Sequence, residues 1–267
     1  MSGEPWLILP TYNEAENIEP IVRAAGEVLA ATVSRLPSLT ADATSGQGYR
    51  VLVVDDGSPD GTGELADGLA AEHAWVEVLH RTEKGGIGPA YLAGFRHALD
   101  RGAGYAMEMD SDFSHDPSDL ARLLEATAPG SQGGGAELAL GSRYVPGGGV
   151  TDWGLVRRLV SEGGSTYARW VLGLHVRDLT GGFKCFRREV LEAIDLDTVR
   201  SHGYGFQVEL TQRALRRGFV VREVPIVFRD RQHGHSKMSP WIALEAIFVL
   251  PQLRYREASD GHEANEP

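Results

Sequence analysis

Met107-Glu-Met-Asp-Ser-Asp-Phe-Ser-His-Asp-Pro117 is the stretch on which the reading of this chain turns. The apolar run from Tyr105 to Met109 leads into it and predicts a strand leaving a core. Asp110 and Asp112 follow, separated by one residue. Alternate residues of a strand share a face, so the two carboxylates are expected to point the same way. Hard oxygen donors that close repel unless a cation lies between them. Mg²⁺ or Mn²⁺, held by one or two carboxylates plus substrate phosphates, is the usual answer. An isolated Asp-X-Asp is more often part of a solvated loop, so the surrounding chain has to decide.

Working outward toward the N-terminus, strands and helices alternate. Trp6 to Pro10 is a short apolar run ended by proline, and Thr11 to Asn17 carries helix-start chemistry ahead of an apolar-periodic helix from Ile18 to Val33. Residues 37–48 turn to Ser, Thr, Gly and Ala, the composition of a flexible insertion. Tyr49 to Val54 is a second strand, closed by the turn-formers Asp55 to Gly61 and followed by a helix to Glu72. Trp75 to Leu79 and Gly88 to Leu99 give the third strand and helix, and Ser118 to Ala126 and Glu137 to Leu140 extend the alternation. This pattern predicts an α/β fold with a mostly parallel central sheet. Such sheets bind ligands outside the carboxyl ends of their strands. Pro10 to Glu14, Asp55-Asp56, Lys84-Gly85-Gly86 and Asp110 to Asp112 all fall at those ends, which favours a metal-nucleotide site over solvated loops. The glycines of Arg81 to Gly88 are placed to bring backbone N–H groups to a phosphate. The loop is neither a Walker loop nor a dinucleotide fingerprint after the first strand, which argues against NAD chemistry.

Toward the C-terminus the alternation ends. Gly141-Ser-Arg-Tyr144 and the glycine-rich Pro146 to Gly149 precede a helix from Leu155 to Leu172 bearing Arg157 and Arg158. Asp178 to Phe186 reads as a turn leading into a strand, Phe206 to Arg216 as a helix, and Val220 to Phe228 as one strand. Arg229 to Lys237 is cationic and carries His233 and His235. These histidines and His115 lack zinc-ligand spacing with a second pair.

The formal charge of −11 argues against nonspecific nucleic-acid binding. The lone cysteine, Cys185, excludes an intrachain disulfide and reads as a buried apolar residue in a reducing compartment. No basic, apolar leader precedes Trp6, and the apolar run Trp241 to Leu253 contains Glu245 and Pro251. It falls short of the roughly twenty residues a membrane span needs. A cytoplasmic protein, peripheral at the cytoplasmic face of a membrane, is expected. Residues 1–250 read as one domain, and 251–267 as an acidic disordered tail.

Leu9-Pro-Thr-Tyr-Asn-Glu14, Val53 to Thr62, Asp110-Ser-Asp112, Gly141-Ser-Arg-Tyr144, Val224-Pro-Ile226 and Gly234-X-Ser-Lys237 together resemble the dolichol-phosphate (polyprenol-phosphate) mannose synthases. These are inverting family 2 glycosyltransferases of the GT-A fold, and the likeness runs from residue 5 to about residue 250. The resemblance implies transfer of mannose from GDP-mannose to a polyprenyl or dolichyl monophosphate, with Mg²⁺ or Mn²⁺ as cofactor. It implies that Pro10, Tyr12, Glu14, Val54 and Asp56 hold the guanosine. Asp110, Ser111 and Asp112 match the metal and donor-sugar site, and Arg143, Arg231 and Lys237 the cations around the two phosphates. Asp112, Arg143, Arg231 and Lys237 are thus the expected catalytic set. Ser114 stands where some relatives have a glutamine ligand, and Glu209 reads as structural rather than as a base. The helix Trp241 to Leu250 is a candidate membrane-facing element, and a membrane-embedded partner protein would supply the missing span. The nearest rival keeps the fold and uses a UDP-sugar to make a polyprenyl-phosphate glucose or N-acetylhexosamine.

Overall fold

The central strands are apolar on both faces, and that places them inside a layered fold. In the computed structural model, which describes residues 3–36, 39, 46–82, 84–129, 135–151, 153–201 and 203–230, β1 (Pro5–Thr11) buries Leu7 and Leu9 on one face and Trp6 and Ile8 on the other. Its neighbour β2 (Arg50–Asp55) does the same with Val51 and Val53 against Leu52 and Val54. This is the pattern of a sheet covered on both sides. The first layer carries α1 (Ile18–Arg35) and α4 (Asp119–Thr127), the second α3 (Ile87–Asp100) and α7 (Gly203–Arg216).

Seven strands form the main sheet, in the order β3 (Val76–His80), β2, β1, β4 (Tyr105–Glu108), β7 (Lys184–Arg187), β5 (Leu138–Ser142), β8 (Val221–Pro225). All neighbours pair in parallel except β7, which is antiparallel to both β4 and β5. The remaining elements are α2 (Thr62–Glu72), α5 (Leu155–Leu172), α6 (Arg188–Ala193) and a 3-10 turn at Leu196–Thr198. The strand order reverses at β1, which lies between β2 and β4. That reversal opens a crevice beyond their carboxyl ends.

Close approach of α3 to β1 requires a glycine. A Cβ on Gly94 would sit 2.6 Å from an Ile8 methyl and 3.2 Å from a Val54 methyl.

Two expectations need correction. The fourth strand ends at Glu108, so Asp110 and Asp112 lie in the loop beyond it, where strand alternation no longer orients them. The expected strand from Val220 to Phe228 is two strands, because Pro225 has no N–H to continue a ladder. Ile226 closes β8 by donating its N–H to the Ser142 carbonyl at 3.0 Å. The chain then pairs as β9 (Val227–Phe228) with β6 (Gly149–Val150) in a separate ribbon. The elements β6 and α6 and the 3-10 turn were not expected at all. Within the expected insertion, Leu39 is buried in the first core, while most of 37–48 lies outside the described residues. Among the described residues no helix is long and apolar enough to cross a membrane. Trp241 to Leu250 and the tail 251–267 lie outside them.

Candidate active site

The crevice is built from three loops stitched together at their backbones. Beyond β1, Asn13 takes a left-handed backbone (φ 56°). Its N–H then donates to Ser58 Oγ (3.0 Å), the Glu14 N–H to Thr62 Oγ1 (2.9 Å) and the Ala15 N–H to Asp60 Oδ2 (3.1 Å). Burial pushes the Asp60 carboxyl up, but the Thr62 hydroxyl and backbone donors outweigh it, and the net shift is downward. Asn17 does not cap α1 with its side chain; it donates to Glu14 Oε2 at 2.8 Å instead.

Asp56 is buried, and its carboxylate is already engaged. Arg81 pairs with it, and the N–H groups of Gly85 and Gly86 donate to Oδ2 at 3.1 and 3.2 Å. Those are the amides expected to reach a phosphate; here they fasten the glycine loop to β2. The Lys84 ammonium sits 3.8 Å from the centre of the Tyr12 ring. The Val54 side chain is core, so it offers a ligand only backbone, and its carbonyl accepts from Thr11 Oγ1 at 3.3 Å.

The carboxylate loop is tied to the first by Ser111, whose hydroxyl donates to the Pro10 carbonyl at 3.1 Å. Asp112 is buried and accepts from the Ser114 N–H at 3.0 Å, a tight turn that puts Phe113 in the left-handed region (φ 59°). Asp110 is more open, its side chain 30% exposed. The Asp110 N–H donates to His115 Nδ1 at 3.4 Å, which marks that nitrogen as an acceptor and the imidazole as neutral. His115 is buried between Phe183 and Phe228, at 4.8 and 5.1 Å. Burial pushes its imidazole down to about 4, with Asp112 pulling upward and Arg143 downward. His115 is therefore held neutral in an aromatic pocket beside the carboxylate loop.

Among the described residues no three His, Cys, Asp or Glu side chains gather into a metal cage. Two hard carboxylates and the Ser114 hydroxyl, a buried oxygen without a hydrogen-bond partner, suit a cation that takes its remaining ligands from phosphate and water. That donor set fits Mg²⁺ or Mn²⁺ and not structural zinc.

The third part is cationic. Arg143, at the end of β5, is buried and held by Asp178. Its N–H, Nε and Nη2 donate to that carboxylate at 2.9, 2.7 and 2.7 Å, and Nη2 also reaches Thr180 Oγ1 at 2.9 Å. Asp178 is itself fixed by Glu223 of β8, which accepts from the Asp178 N–H (3.0 Å), the Arg177 N–H (2.9 Å) and the Ser142 hydroxyl (2.6 Å). Arg143 opens onto a polar cleft of about 480 Å³ lined also by Tyr144, Glu162, Thr166, Arg169 and Arg177. The Phe228 ring joins the two halves, 5.1 Å from His115 and 5.5 Å from the Arg143 guanidinium. Beside it the Arg229 N–H donates to the Ser114 carbonyl at 3.0 Å. The described chain thus ends against the carboxylate loop, at Asp230. Arg231, His233, His235 and Lys237 lie outside the described residues.

The structure brings together Pro10, Tyr12, Glu14, Asp56, Asp110, Ser111, Asp112 and Arg143. Glu209 is engaged elsewhere: its carboxylate accepts from Arg213 (2.5 Å) and the Ser201 N–H (3.0 Å). Cys185 is buried beside the Thr127 hydroxyl, and burial pushes its thiol up to about 12. Sequence reasoning passed over Asp178, Glu223, Arg81 and Phe228. The sequence carried no signal for them, because each acts through partners far along the chain.

The sheet thus carries a carboxylate loop at its switch point with an arginine-bearing cleft alongside. The chain belongs to the glycosyl transferase family 2, whose model matches residues 6–195. Within that family it is 48% identical over 255 residues to the polyprenol monophosphomannose synthase of Mycolicibacterium smegmatis, covering 95% of this chain and 88% of that protein. It is 47% identical to the undecaprenyl-phosphate mannosyltransferase of Micrococcus luteus, covering 90% and 89%. Among solved structures, glucosyl-3-phosphoglycerate synthase of Mycobacterium tuberculosis with Mn²⁺ and UDP-glucose superposes with a TM-score of 0.65. That match has 19% identity and covers 94% of this chain and 78% of that one, a likeness of fold.

Proposed function

We propose that this enzyme transfers mannose from GDP-mannose to a polyprenyl monophosphate with inversion, releasing GDP. The observation that carries the reading is the junction at Phe228: a carboxylate loop suited to a cation-bound diphosphate meets an arginine cleft suited to a second phosphate. The two mannosyl-transferring relatives, near half identical over most of the chain, supply the sugar and the lipid.

The chemistry follows from charge. The acceptor phosphate, with a second pKa of about 6, is already an oxyanion near neutral pH. It therefore needs positioning more than a general base. Arg143, held rigid by Asp178, orients that phosphate at the mouth of the cleft. An acceptor oxygen bonds the anomeric carbon as the bond to the β-phosphate oxygen of GDP breaks on the opposite face, and no proton changes hands. Asp110 and Asp112 would hold a divalent cation that offsets charge on the departing diphosphate. Arg231 and Lys237 are assigned to the same leaving group. Tyr12, Glu14 and Asp56 form the nucleoside end, where Lys84 must leave the Tyr12 ring for a base to stack.

Peripheral contact with a membrane fits the outer side of α5. Trp170 is 79% exposed and Val160 57% exposed, on the helix that also lines the cleft. Tryptophan suits the boundary between headgroups and acyl chains. A membrane-embedded partner protein would be unnecessary if transfer runs at full rate on vesicles of lipid alone.

The deciding experiment is transfer of labelled mannose from GDP-mannose to polyprenyl phosphate, with Mn²⁺ and with EDTA. Label in the organic phase that disappears with EDTA is expected. Label from UDP-glucose but not from GDP-mannose would overturn the donor.

A further inference from the structure

Beneath the carboxylate loop lies a buried polar layer that the proposed chemistry does not use. Glu108 ends β4, two residues before Asp110, and is fully buried; the Gln207 side chain is its hydrogen-bonding neighbour, at a geometry short of a fully made bond. Opposite it on β7 is Lys184, also fully buried. The Lys184 ammonium does not bond Glu108; it donates to the Gln207 carbonyl (2.9 Å) and to the Gln207 side-chain oxygen. The Gln207 amide nitrogen is buried and faces the Glu108 carboxyl without closing a tight bond to it. On the other side the Tyr91 ring stacks on Phe206, the residue before Gln207, at 6.2 Å and 4°. Its hydroxyl is buried without a partner and lies in the field of Asp110, Glu108 and Asp112.

Unpaired buried polar atoms are costly, and several facing one region call for a physical reason. The loop above needs support. Its first backbone bonds, Met109 N–H to the Ile8 carbonyl and Asp110 N–H to His115, are both 3.4 Å long. A carboxylate, an amide donor, a hydroxyl and an ammonium give a bridging water the two to four partners it needs.

We propose that Tyr91, Glu108 and Gln207, counter-charged by Lys184, are positioning residues: a water-bridged floor that sets the Asp110–Asp112 loop at the height a cation-bound diphosphate requires. This rests on reading that loop as the donor site. None of the three touches substrate; they act through the loop.

The test separates the floor from the transfer reaction by measuring binding of GDP calorimetrically, with and without Mn²⁺, in wild type, Tyr91→Phe and Glu108→Gln. Tyr91→Phe removes one oxygen and Glu108→Gln keeps the shape, so both are chosen to preserve the fold. Expected is a roughly tenfold weakening of Mn²⁺-dependent GDP binding, with metal-free GDP binding and Tm unchanged. Glu108→Ala should weaken it further than the isosteric Gln. Mn²⁺-dependent binding equal to wild type in both variants would overturn the floor. So would parallel loss of Tm and of metal-free binding, which marks a merely structural role. Wild-type mannosyl transfer is assayed alongside: its absence with the binding pattern intact would remove the reaction and leave the floor standing.

Discussion

Asp112 and Arg143 show how differently two site residues are held. Asp112 is set by a turn within its own loop, so Asp112→Asn should leave the fold intact while lowering kcat on the order of 10²–10³-fold. Unchanged turnover would remove Asp112 from the cation. Arg143 depends on a carboxylate 35 residues away. Asp178→Asn strands a buried guanidinium, and a loss of about 3–5 kcal/mol in denaturant unfolding is expected, with reduced transfer. His115 adds a pH dependence whose sign is fixed. The unfolded chain takes up the imidazole proton near its ordinary value, whereas the folded site resists it down to about 4. Between those values the unfolded state binds more protons, so stability falls as pH drops through that window. Thermal melts from pH 7 to pH 4.5 should show the loss, and His115→Leu should flatten it. Legibility at this scale follows chain distance. Asp110, Asp112, Glu14 and Asp56 belong to compact motifs and could be proposed from the sequence. Asp178, Glu223 and Phe228 reach the site only through folding, and Arg231 and Lys237 rest on the resemblance alone.

At the level of elements, apolar periodicity located most helices and strands to within a few residues, α5 at both ends. It failed where local chemistry overrode it. The run from Val220 to Phe228 looked continuous because Val and Phe suit any strand, but Pro225 moves the chain to a second ribbon. That break carries Phe228 to its place between His115 and Arg143. The strand before Asp110 looked longer than it is because Met109 is apolar and buried, yet the ladder ends at Glu108. Gly94 gives an element-scale prediction. Gly94→Ala would force α3 off β1, and a loss of about 1–3 kcal/mol is expected in urea unfolding despite alanine's better helix propensity. No loss would mean that Ile8 and Val54 can yield.

For the whole molecule, the apolar residues on the outer side of α5 should govern where the enzyme works. Trp170→Ala should reduce sedimentation with polyprenyl-phosphate vesicles severalfold, without changing Tm. Equal sedimentation would direct the search to segments beyond Asp230. Alternation of strands and helices made the layered α/β plan readable, since each periodicity is local. The strand order was not, because nothing near Lys184 announces that it belongs between β4 and β5. That placement of β7 has a consequence for how the protein is made. The first four sheet strands emerge in sequence order and can pair as they appear, but β5, finished by Ser142, has no seat until residues 184–187 arrive. Until then β4 presents an open edge, the kind that pairs with other chains. Vectorial synthesis therefore leaves that edge open for some seventy-five residues, between Glu108 and Lys184. Chains halted within that stretch are expected to aggregate or to require a chaperone.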